Sequence, residues 1–98
     1  MKTNKDYVLR KIADEIMLVP TGEAAQHING LIRLTSTAAF IYSQVDACET
    51  LEEIVSKVVE EYDVDEETAK KDLFGMLCEF QMLGFVSGIK EFENGYGK

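Results

Sequence analysis

The 98-residue chain carries few groups that could do covalent chemistry: one histidine, His27, and two cysteines, Cys48 and Cys78. A thiol nucleophile needs a base beside it, and neither cysteine has one near it in sequence. No CxxC pair occurs and a lone histidine completes no zinc-ligand spacing. The carboxylate pairs Glu52-Glu53 and Glu60-Glu61 diverge by about 100° on a helix, which leaves one member of each in water rather than poised for acid-base work. His27 reads as a solvent-facing strand residue. The two thiols read as reduced and structural, with a disulfide left open because sequence does not report the distance between their Cα atoms. The expectation is a protein that is not an enzyme and holds no metal or cofactor.

Charge narrows the partners. The net charge is −8, and from Asp46 to Glu67 ten acids face one base, Lys57. Such a surface repels phosphates, and most of these carboxylates read as a solvated helix face. The first 45 residues hold four acids and five bases and are close to neutral. A single domain of this size buries roughly 60–70% of its unfolded surface, enough for a modest core but not for a deep substrate cavity besides. No apolar run approaches membrane-spanning length and no secretory signal follows the basic N-terminus, so a cytoplasmic protein is expected.

Elements that could position a binding site follow from the apolar pattern. "YVLRKI" and "EIMLVP" predict two strands about a turn at Ala13-Asp14, the second central because Ile16 to Val19 are apolar on both faces and Pro20 then ends it. A third strand is predicted over residues 28–34, with Ile28, Ile32 and Leu34 on one face; an Asn29-Gly30 turn would shorten it to Leu31–Leu34. Three helices follow. Thr35, Ser36 or Thr37 caps the first, which buries Ala38, Ile41, Tyr42 and Val45. Thr50 and Glu53 form a capping box for the second, with Leu51, Ile54, Val55, Val58, Val59 and Tyr62 in one stripe. Asp65 caps the third and Gly84 ends it. The expected architecture is α+β and winged-helix-like: one domain over residues 1–98, a three-stranded antiparallel sheet followed by three helices, with residues 87–98 a flexible tail.

The third helix carries two apolar faces. Ala69, Leu73, Met76, Leu77, Phe80 and Leu83 anchor it, while Phe74, Cys78 and Met82 lie on another side near Lys71 and Gly75. Either the third strand or the tail covers that second stripe, or it lines a groove. The third strand has one neighbour in a meander, so its outer edge is a template for another strand. An extended peptide could pair with Ile28, Gly30, Leu31, Ile32, Arg33 and Leu34 and set its side chains against Phe74, Cys78 and Met82. Arg33, Lys70 and Lys71 would border that groove and favour a peptide with Asp or Glu over a basic one.

The run from Leu34 to Val86 resembles the PqqD-like proteins, peptide-recognition elements of ribosomal-peptide modification. The likeness rests on Leu34, Ala39, Ile41 and Tyr42, on Asp46, Thr50, Glu53, Ile54 and Val55, and on Tyr62, Asp72, Leu73, Leu77, Gly84 and Phe85. Where the family commonly has "LNETGA", Thr35, Ser36 and Ala38 stand at the Asn, Glu and Gly positions. The resemblance implies binding of a precursor's leader peptide between the third strand and third helix, and its presentation to a modifying enzyme, often a radical SAM enzyme. Two other readings compete. A winged-helix DNA binder would need more than Lys70 and Lys71 on a helix that begins Glu66-Glu67, and nucleic acid and membrane are not expected partners. A homodimer could close the same strand edge on itself.

Overall fold

The computed structural model describes residues 1–27 and 31–93. Strands β2 (Tyr7–Ile12) and β3 (Glu15–Pro20) form a hairpin whose two-residue turn, Ala13-Asp14, has φ of 49° and 70°. Positive φ at both central positions is the turn whose twist matches right-handed strands, and here it is made without glycine. β3 is central, pairing on its other side with β4 (Ile32–Leu34) in the order β2-β3-β4. The register Leu18↔Ile32 and Ile16↔Leu34 puts Leu18, Ile32 and Leu34 on the face turned to the core, and Leu18 is fully buried. The strand predicted over residues 28–34 is thus shorter. Ala24–His27 form a helical turn, α1, so His27 closes a helix instead of opening a strand, while Ile28 and Gly30 lie outside the described residues.

Three helices complete the core. Thr35, Thr50 and Asp65 cap α2 (Ser36–Val45), α3 (Leu51–Tyr62) and α4 (Glu66–Met82), each side chain accepting from a backbone N–H three residues on. Glu53 reaches back over the start of α3, accepting from the Glu49 N–H at 3.3 Å, one residue before the cap, and from the Thr50 hydroxyl at 3.4 Å. The seam between the helices and sheet is filled by Ile41, Val45, Leu51, Ile54, Leu73 and Leu77, all 1% exposed or less. Tyr42, against Phe80 at 5.8 Å, donates its hydroxyl to the Tyr7 carbonyl, tying α2 to the first long strand. Leu83 departs from the expected anchoring face: it is 53% exposed at the end of α4, where Gly84 takes φ of +83° and stops the helix.

Two features were not anticipated. Lys2–Thr3 (β1) pairs antiparallel with Val86–Ser87 (β5), closing the termini into a small ribbon. Ile89 is then fully buried and Lys90–Glu93 form a helical turn, α5. The tail expected from Ser87 is therefore part of the folded body as far as Glu93, because Ile89 and Phe92 supply apolar surface that the core takes up. Asp46, just past α2, fastens the ribbon: its carboxylate accepts from the Thr3 N–H (2.9 Å), the Thr3 hydroxyl (2.6 Å) and the Lys5 ammonium (2.7 Å).

Candidate functional site

The sheet has two outer edges, those of β2 and β4, and the one that runs directly into the helices is that of β4. Among the described residues β4 pairs only with β3, leaving one row of backbone donors and acceptors unmatched. The strand passes through the single residue Thr35 into α2, whose first turn bonds to the Thr35 hydroxyl and whose Ser36 carbonyl accepts from Tyr62 on α3 at 3.5 Å. Phe40 and Tyr62 meet edge to face at 5.6 Å and stiffen the same corner. The edge is therefore held at its C-terminal end by two helices. Leu31, immediately before it, is half exposed.

The two flanks of α4 have different neighbours. Lys70 reaches Glu52 on α3 at 3.6 Å, and its ammonium stands 5.9 Å from the Phe74 ring centroid. Phe74 in turn meets Phe92 of α5 edge to face at 6.3 Å. That flank, extended by Cys78, turns toward α3 and the C-terminal segment. On the opposite flank, Asp72 lines a pocket with Thr37 and Ile41 of α2. At about 100° per residue Met76 and Leu83 share that side with Asp72. It is the α2 side, and α2 is continuous with β4.

The sequence-predicted site residues consequently separate. Leu31, Ile32, Arg33 and Leu34 lie at the sheet edge, with Ile32 and Leu34 half-buried inward and Arg33 outward, ion-paired to Glu15 at 3.0 Å. Lys70 and Phe74 face α3 and α5, Cys78 is exposed beside them, and Lys71 and Met82 point away from the core, Met82 at 82% exposure. The tail covers Phe74, one of the alternatives open from sequence. Thr37 and Asp72 line one pocket, and Met76 and Leu83 share the Asp72 flank of α4. Of the core anchors expected from sequence, Met76 is half-buried against the core and Leu83 is exposed, while Thr37 and Asp72 were not among the expected site residues. The signal available was the helical wheel: two flanks, one of which had to take α3.

The groove's chemistry is that of recognition. Both cysteines are free thiols. Cys48 is buried, and that burial, reinforced by the Glu53 carboxylate, pushes its thiol upward, away from the reactive thiolate. No helix among the described residues is long and apolar enough to cross a membrane.

Comparison with known proteins agrees with this layout. Residues 12–86 match the family described as coenzyme PQQ synthesis protein D, PqqD. A search of curated sequences returned no match. Among solved structures, TbiB1 in complex with the TbiA(beta) leader peptide is similar at 26% identity and a TM-score of 0.71, over 90% of this chain and 96% of that one. A lasso peptide synthetase B1 complexed with the leader peptide has the same fold at 14% identity and a TM-score of 0.69, over 89% of this chain and 96% of that one. The family match runs from the end of β2 to the first residue of β5, well over half of the chain, and on that ground the chain belongs to the PqqD family.

Proposed function

We propose that this protein binds the leader segment of a ribosomally made precursor peptide along the free edge of β4 and presents it to a modifying enzyme. The observation that carries the reading is the unpaired outer edge of β4, which runs through Thr35 into α2. It belongs to a fold whose 26%-identical neighbour is a leader-peptide complex. Strand addition draws affinity from main-chain hydrogen bonds, and alternate side chains of the peptide supply selectivity. On one side of the peptide Ile32 and Leu34 continue the sheet, and on the other Met76 and Leu83 offer apolar contact.

On this reading the chemistry belongs to a partner. A radical SAM enzyme is the partner class we favour, and the acidic face of α3, with Glu52, Glu53, Glu60 and Glu61 exposed away from β4, is free to meet it. A homodimer that pairs two β4 edges would compete for the same backbone groups. Sedimentation with and without a leader peptide tests this: the proposal expects a peptide-bound monomer, and a dimer that excludes peptide would replace it.

A further inference from the structure

A pocket of about 290 Å³ lies between the starts of α2 and α4 and the end of α3, close to where β4 runs through Thr35 into α2. Its walls are Ile41, Val58, Tyr62, Val64, Ala69 and Leu73, and besides the Tyr62 hydroxyl, which is spent on the Ser36 carbonyl, its polar side-chain groups are the Thr37 hydroxyl and the Asp72 carboxylate. Among the described residues neither polar group has a hydrogen bond or ion-pair partner. The cations that looked available to the groove are engaged elsewhere, Arg33 with Glu15 and Lys70 with Glu52, and Lys71 points away from it. Glu79 lies two turns along the same flank as Asp72.

Resting on the peptide-binding reading above, we infer that Asp72 is a specificity-determining residue. The pocket receives one branched or aromatic side chain of the bound peptide, and Asp72 selects a lysine or arginine next to that anchor. The physical ground is the asymmetry of the site. An apolar chamber with one unpaired carboxylate at its mouth gains a charge-assisted hydrogen bond from a cationic side chain, and an acidic one there meets like charge. The domain's net charge of −8 pulls the same way at longer range. This reverses the acidic preference expected from sequence, because that expectation placed Lys70 and Lys71 on the groove rim.

The test is selection of binders from a display library of random 20-residue peptides, using the intact protein and its Asp72→Lys and Asp72→Asn variants, with the winning peptides mapped by backbone amide shifts. Binders of the unaltered protein should perturb amides of residues 31–34 and carry Lys or Arg within two positions of a bulky apolar residue. Replacing that cation with Glu should weaken binding about threefold to tenfold, and Asp72→Lys should invert the preference. Binders that map to β4 but show no cationic bias, or a bias unchanged by Asp72→Lys, overturn this inference and leave peptide binding standing. Binders that map elsewhere, or none, contradict peptide binding at β4 itself. If Asp72 serves only to complement the positive end of α2, Asp72→Asn lowers the melting temperature without altering peptide choice, which also overturns it.

Discussion

Replacing Asp46 with asparagine removes the charge from the clasp that holds β1 against the end of α2 while keeping the side chain's shape. Partial burial alone would raise this carboxyl, but the Lys5 ammonium and the Thr3 hydroxyl and N–H outweigh it and hold it at about 2. Against an unfolded value near 3.9, that shift corresponds to at most about 2.5 kcal/mol in favour of the folded state. The side chain is 41% exposed, so solvent screening reduces the usable part to about 1 kcal/mol. Because the folded value is the lower one, this stability is complete above the unfolded value and disappears as the pH falls through about 2. Asp46→Asn should therefore lose about 1 kcal/mol at pH 7, a drop of about 4–8 °C in a domain of this size, and should converge with the parent protein near pH 2. Urea unfolding of both proteins at pH 7, 5, 3 and 2 reads the difference directly. A gap that persists undiminished at pH 2, or no gap at pH 7, would refute the charge-based account of the clasp.

Further consequences are open to simple measurement. Gly75 sits on the solvent side of α4 with nothing within 4 Å of an added Cβ, so Gly75→Ala should stabilise the protein by about 1 kcal/mol in thermal unfolding and leave peptide affinity unchanged. Ile89→Ala should cost about 2–4 kcal/mol by denaturant titration, since Ile89 is fully buried; a loss below about 0.5 kcal/mol would return this segment to a loose tail. Leu31→Pro should weaken leader binding at least about fivefold by removing a backbone donor next to β4, with Leu31→Ala milder; equal losses by calorimetry would mean that side chains rather than strand addition carry affinity. In alkylation followed by mass spectrometry, Cys78 should react in the folded protein and Cys48 only on unfolding.

Much of the fold was written in short-range signals. The three helix caps, the Ala13-Asp14 turn and the central place of β3 follow from residue types that satisfy backbone groups locally, and each is found where the pattern puts it. The β1–β5 ribbon was not legible, because two-residue strands at opposite ends of the chain carry no periodicity and are joined only through tertiary contacts such as the Thr3–Asp46 bonds. The site was half legible. An edge strand can be inferred from connectivity, but the flank of α4 that meets it depends on where α3 packs. Spacing puts Phe74 and Met76 on different faces, but the neighbours of each face show only once Lys70 is seen against Glu52, Phe74 against Phe92 and Asp72 beside Thr37.

The most direct test of the central claim is titration of isotope-labelled protein with the leader segment of a candidate precursor peptide, followed through backbone amide shifts and cross-relaxation. Strand addition predicts large shifts at residues 31–34, new inter-strand contacts between peptide and β4, and side-chain changes at Met76 and Leu83, with Phe74 and the exposed face of α3 undisturbed. Saturable binding whose shifts fall on α3 or on the Phe74 flank, with β4 unchanged, would contradict it.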